Sequence, residues 1–387
     1  MDGYRALSIF LVIANHSWQE GEVRYGWHSV WGNFLDGGVG VFIFFVISGY
    51  LITKLLLNEH DRYGKFSLRR FYYRRFFRIG PPLYAYILFI AITGSLTGLH
   101  ADKRELFTAL TFTRNLDFHS HEFMFGHFWS LCIEEQFYLL WPIALLLALR
   151  WSGRAGATRL AVLLLVIAPV FRLATFPLVH DQPFRARIDG LLPGHMDALM
   201  FGCWACLAEG SAKFENLYQR VNNFAWLPPL WFFGISAILR VMFGNKYTLS
   251  MGYTLDGLCL VFMLLWSIRN SQTKLGRLLN WRPIAHIGVI SYSVYIWQTY
   301  FLHPQNPIPL ARFPWNLICI LGIAELSWQT VERLSRLMRD RGERKWKWIS
   351  GHQHCGQGIG ASLAVSSMTQ IEIDRGSSEI VRGFGSD

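Results

Sequence analysis

Four groups of residues pair chemically competent side chains with a spacing that lets them act together. Arg5 and His16 stand eleven residues apart in the opening stretch MDGYRALSIFLVIANHS. At about 100° per residue that is within about 20° of three whole turns, so on a helix both side chains share one face, about 16 Å apart along the axis. The stretch thus holds a fixed cation and a titratable imidazole on one stripe. A membrane histidine is more often a helix-packing hydrogen bonder and an arginine at a helix end can snorkel, but the shared face raises the odds of a joint role. Arg75 and Arg78, in RRFYYRRFFRIGPP (69–82), are spaced i, i+3 and meet on one helical face. Their guanidinium forks suit a polyanion such as a nucleotide phosphate, and equally an anionic lipid patch or a positive-inside anchor. Glu134 and Glu135 sit together in HFWSLCIEEQFYLLWP (127–142), ahead of wholly apolar residues. A carboxylate buried there needs a cation or a shared proton, which fits an active site and a structural salt bridge alike. His195 and Asp197, in PGHMDALMFG (193–202), bring a base and an acid to the edge of another apolar run and read as cavity lining.

The elements that must position these groups are membrane spans. Of 387 residues, 52% are hydrophobic and only 16% charged, against about 25% charged in a soluble domain. Apolar runs recur at about 4–18, 37–57, 79–99, 128–149, 159–178, 191–209, 223–243, 251–268, 284–303 and 311–331. The fold class is therefore all-α: a polytopic membrane protein of about ten helices. The formal net charge is +11, and the cations cluster between the runs, which fits the positive-inside pattern and excludes a nucleic-acid partner. Every even-numbered loop is basic, as with Arg69, Arg70, Arg74, Arg75 and Arg78 in the second and Arg269, Lys274, Arg277 and Arg282 in the eighth. That alternation places both termini in the cytoplasm. Trp27, Trp31, Trp129, Trp141, Trp151, Trp226, Trp297 and Trp315 lie near span ends. No basic leader precedes the first run, so it is expected to stay as a helix. That run is short for a span, with Met1 almost at its edge, so either the true start is upstream or the lead-in is minimal. Residues 1–333 read as the transmembrane domain and 334–387 as a polar, disordered cytoplasmic tail.

The six cysteines give no disulfide framework; Cys203 and Cys206 form a C-x-x-C inside an apolar run, without the second pair a zinc site requires. HQHC at 352–355 reads as polar tail, and no metal site is expected.

DGYRAL with His16, GVFIFFVISGYLIT (40–53), RRFFRIGP (74–81), HFWSLCIEEQFYLLWP and ISYSVYIW (290–297) occur in an order that resembles the membrane acyltransferase-3 family, bacterial O-acyltransferases that modify surface glycans. The resemblance runs from residue 2 to about 333. It implies that Arg5 and His16 are the family's arginine–ten residues–histidine motif, with His16 as catalytic base and Arg5 and Glu134 beside it. It also matches Arg75 and Arg78 to the family's arginines, and Trp129, Ser130 and Glu134 to its tryptophan–serine–leucine–glutamate motif. Two departures are expected: Gln298 stands where the family often has histidine, and the hydrolase-like domain fused to some members is absent.

The resemblance implies acyl-CoA, most simply acetyl-CoA, as donor co-substrate, with no permanently bound cofactor. Its phosphates would sit on Arg75, Arg78 and Arg5, and its arm would span the 16 Å scale to His16. His16 would deprotonate an acceptor hydroxyl, with Asn15 or Ser48 steadying the oxyanion; an acyl-histidine intermediate is the other route. The acceptor would be a glycan or lipid-linked saccharide reached from the far side of a bacterial inner membrane, with membrane lipid as the surrounding partner and the oligomeric state open. The competing class is a proton-coupled transporter or flippase, which ten helices with buried Arg, His and Glu would also permit. No Gly/Pro-interrupted pair recurs in matching halves, and the motif order favours the enzyme.

Overall fold

A computed structural model describes residues 1–25, 37–99, 101–117, 124–175 and 190–344. Trp27, Trp31, the 176–178 end of the fifth expected span, HQHC 352–355 and most of the expected tail lie outside the described residues. The chain divides into two units, Met1–Glu332 and Arg333–Asp387. The described part of the second, 333–344, is helical.

Among the described residues every regular element of the first unit is a helix. In chain order they are α1 (Asp2–Tyr25), α2 (Gly37–Tyr63), α3 (Leu68–Thr97), α4 (Lys103–Leu110), α5 (Phe128–Thr175), α6 (Leu192–Ala208) and α7 (Ala212–Asn222). After these come α8 (Leu227–Phe243), α9 (Thr248–Arg269), α10 (Lys274–Leu279), α11 (Arg282–Phe301) and α12 (Trp315–Ser327). Local chemistry sets the ends of α3. The Ser67 side chain caps its first turn by accepting from the Arg70 N–H, and Gly98 stops it at φ +74°, which glycine adopts without a Cβ clash.

Four helices, α2, α3, α5 and α9, are long and apolar enough to cross a membrane. α7 and α8, bent by 69°, make a fifth if they form one broken span. The difference from ten has physical causes. The expected spans 128–149 and 159–178 form one 48-residue element, α5, broken at Gly153, where φ is 61°. Unbroken it would be about 72 Å long, against about 30 Å of hydrocarbon. α6 has 17 residues and α12 has 13 before a π-helical turn, Trp328–Glu332. α1 dilutes its apolar run with Arg5, Asn15, His16, Gln19 and Glu20.

α1 packs between α2 and α11, and small residues permit the approach. A Cβ on Gly288 of α11 would collide with the Asp2 carbonyl, and one on Gly40 of α2 would stand 2.5 Å from the Ser8 carbonyl. The Ser8 hydroxyl donates to the carbonyl of Gly40, locking the same crossing. α6 crosses α2 at equal proximity, through Gly202 against Val46 and Gly49 against Leu199.

Candidate active site

Five helices, α1, α2, α3, α5 and α11, converge on one cavity of about 100 Å³. Its wall takes Arg5 from α1, Ser48 from α2, Arg75 and Arg78 from α3, Ser130 and Glu134 from α5, and Tyr292 and Tyr295 from α11. Residues from five points of the chain, separated by up to 290 positions, therefore face one space. Pro82 sits in α3 just past Arg78 and has no N–H to give to the Arg78 carbonyl. The Tyr292 hydroxyl ties α11 to this stretch by donating to the Ile79 carbonyl at 2.7 Å.

Each cation in the cavity has its own holder. Arg5 Nη1 lies 3.2 Å from Asp2 Oδ1, one turn away on the same helix. The Arg75 guanidinium lies over the Tyr138 ring, 3.6 Å from its centroid. Glu134 is the acidic counterweight. The Tyr138 hydroxyl donates to Ser48 Oγ at 3.0 Å, and Ser48 donates to Glu134 Oε1 at 2.6 Å. The charges of Arg75 and Arg5 also act on that carboxylate. Three guanidiniums face one cavity-lining carboxylate, so the wall attracts anions.

At the inner end the hydroxyls of Ser130 and Tyr295 are 2.5 Å apart, and Tyr295 donates to the His127 carbonyl at 2.5 Å. Beyond this pair lies the His127 imidazole, 5% exposed, its ring 5.2 Å from that of Tyr295. Among the described residues neither of its nitrogens makes a well-formed hydrogen bond, although the Ile296 carbonyl stands beside it. His127 is near enough to His16 for the two imidazoles to feel each other's charge, and the Gln298 amide faces His16. A pair of histidines thus neighbours the arginine cavity, tied to its wall through Tyr295.

Of the residues expected from sequence, Arg5, Ser48, Arg75, Arg78, Ser130 and Glu134 share the cavity. His16 does not line it; it lies near His127 and Gln298. Asn15, next to His16, accepts from the Gln19 amide at 3.2 Å. Trp129 packs against Phe45 and His195, at 6.4 and 5.1 Å between rings. His195 and Asp197, expected as cavity lining, stand elsewhere. His195 is boxed by Phe45, Trp129 and Tyr253. Asp197 is locked to Arg172 by contacts of 2.7 and 3.1 Å and accepts from Thr254 at 2.8 Å. A carboxylate saturated in that way braces α5 against α6 and α9. Sequence reasoning passed over Tyr138, Tyr295, His127 and Arg172. Tyr138 is four residues past Glu134, and Arg172 is a charge inside an expected span, a position that always demands a partner.

A larger cavity of about 400 Å³ has no charged group in its lining, which includes Tyr4, Trp226, Phe262 and Leu279. It does not suit a polyanion. The thiols of Cys203 and Cys206 are free and buried in α6.

The acyltransferase-3 family model, an acyltransferase domain, matches residues 1–324. The chain belongs to this family. Curated relatives agree. The peptidoglycan O-acetyltransferase of Listeria monocytogenes is 28% identical over 361 residues, covering 86% of this chain and 54% of that protein. A Bacillus subtilis protein provisionally named a peptidoglycan O-acetyltransferase is 26% identical over 358 residues, again covering 86% and 54%. A Staphylococcus aureus protein provisionally named an O-acetyltransferase is 26% identical over 384 residues, covering 91% and 59%. The chain thus spans little more than half the length of these relatives. No solved structure matches it. Family membership makes the arginine cavity and the histidines beside it the candidate site of acyl transfer.

Proposed function

We propose that this chain is the membrane-embedded O-acetyltransferase of a bacterial inner membrane, moving an acetyl group from cytoplasmic acetyl-CoA to a hydroxyl of a surface or exported glycan. The names of the relatives make peptidoglycan the first acceptor to test. The observation that carries this reading is the convergence of Arg5, Arg75 and Arg78 on one cavity, whose wall residue Tyr295 bonds to His127, the neighbour of His16. Both termini are cytoplasmic in this reading and those arginines lie at the inner face, in line with the basic even loops. In this reading 1–333 is the acyltransferase domain and 334–387 a cytoplasmic tail.

The phosphates of the donor engage the three guanidiniums. A cavity of about 100 Å³ holds only part of such a donor, so the Ser130–Tyr295 pair parts to pass the thioester arm. His16 takes the proton from the acceptor hydroxyl as its oxygen attacks the thioester carbonyl. The carbon–sulfur bond then breaks, and the departing thiolate takes the proton back from the imidazolium. Asn15, whose side-chain amide also carries N–H donors, steadies the oxyanion in this reading. Ser48 donates its hydrogen bond to Glu134 and so holds that carboxylate, leaving its expected oxyanion role to Asn15.

The bent α7–α8 pair is the feature that favours a transporter, since broken helices line many transport sites. That pair flanks the uncharged cavity and leaves the arginines untouched, which favours the enzyme. The test is mass spectrometry of surface glycans from cells with and without the gene. Loss of one acetyl ester is expected; an unchanged ester profile would refute the reading.

A further inference from the structure

We propose that Glu332 is the positioning residue that aims Arg78 into the donor cavity; this rests on reading that cavity as the donor site. Arg78 belongs to α3, and Glu332 ends the π-helical turn after α12, 254 positions later. Arg78 Nη1 donates to Glu332 Oε2 at 2.9 Å. The two ends of this contact live in different surroundings: the arginine side chain is 32% exposed and the glutamate 2%. The other carboxylate oxygen, Oε1, accepts from Ser293 Oγ of α11 at 2.8 Å, and Ser293 is fully buried. With one oxygen fixed by α11 and the other by Arg78, the carboxylate cannot swing.

A guanidinium has five N–H donors in a rigid fork. Fixing one nitrogen from behind sets the plane of the fork and leaves the remaining donors for the cavity that Arg78 lines. The other two cations are held differently, Arg5 by the half-exposed Asp2 and Arg75 by the face of Tyr138. Among the described residues, Arg78 is the one of the three with a hydrogen bond to a carboxylate that is itself buried and anchored. Glu332 also subtracts a charge behind the clamp, an effect that opposes phosphate binding. Orientation and charge therefore push donor affinity in opposite directions, and a charge-removing variant separates them.

The experiment compares the full chain and Glu332→Met, which removes both acceptor oxygens as well as the charge, purified in lipid nanodiscs, by calorimetric titration with coenzyme A and with pantetheine, which lacks the phosphates. If the brace sets the fork, the coenzyme A Kd of Glu332→Met rises about tenfold, as for a lost hydrogen bond to a charged group, and pantetheine binding is unchanged. Ser293→Ala, which loosens the carboxylate alone, gives a smaller rise of about threefold. Equal or tighter coenzyme A binding by Glu332→Met overturns the proposal, since charge would then outweigh orientation. Should that variant fail to fold, Ser293→Ala and Glu332→Asp decide: a raised Kd in both supports the brace, and wild-type Kd in either refutes it. If the wild-type chain itself binds no coenzyme A, the donor-site reading falls first and the Arg78–Glu332 pair is structural only.

Discussion

Arg75→Lys keeps the charge of the clamp and removes its shape, which makes its effect calculable. In the native site the guanidinium lies 3.6 Å from the centroid of the Tyr138 ring. A partly desolvated cation over an aromatic face contributes about 1–2 kcal/mol, and an ammonium on a flexible stem forfeits most of that stacking. The loss of one charge-assisted hydrogen bond from the fork to a phosphate oxygen costs about 1.5 kcal/mol. The stacking is made in the free and the loaded site alike, so only the lost phosphate bond enters KM: about 1.5 kcal/mol, or roughly tenfold for acetyl-CoA at about 1.4 kcal/mol per decade. kcat should hold, because the phosphates bind alike in the ground and transition states. The assay is steady-state transfer of radiolabelled acetyl groups by the protein in vesicles, at varied donor. Tyr138→Phe is the control: it keeps the ring under Arg75 and withdraws only the hydroxyl from Ser48, so the donor KM should move by less than about threefold. A KM for Arg75→Lys within twofold of wild type, or a collapse of kcat with KM intact, would refute the clamp.

The remaining predictions concern stability. Arg172→Met strands the fully buried Asp197 carboxylate and should cost about 3–5 kcal/mol; thermal unfolding in detergent reads it. The double replacement Arg172→Met with Asp197→Leu should recover most of that loss, and no recovery would show that the two do not act as a unit. Gly202→Ala drives a methyl into the backbone of α2 and should cost about 1–3 kcal/mol by the same measurement; an unchanged Tm would show that the α2–α6 crossing yields freely.

Much of the site was legible because it rests on short-range periodicity. The i, i+3 spacing of Arg75 and Arg78 needed only one helix, and that helix formed with Ser67 as its cap. Both arginines, with Arg5 and Glu134, do face one cavity. What the sequence could not show is which helices meet. Tyr295 closes the inner end of that cavity from a position 165 residues away from Ser130, and nothing in ISYSVYIW marks which tyrosine turns inward. Asp197 and Arg172 illustrate the opposite error. Each was a polar residue in or beside an apolar run, but their partnership joins α5 to α6 and is visible only once those helices pack. The span count diverged for a related reason. Hydropathy reports what a helix would do alone in lipid, whereas α6 is buried by its neighbours along most of its length and can be short.

The most direct test concerns His16, the proposed general base of acyl transfer. His16→Asn, with its abundance and membrane insertion verified, is measured twice: for coenzyme A affinity by calorimetry and for single-turnover transfer of radiolabelled acetyl to a glycan acceptor. Affinity close to wild type with transfer slowed by about 10²–10⁴-fold is expected for a lost general base. Transfer at the wild-type rate would contradict a role for His16 in the chemistry.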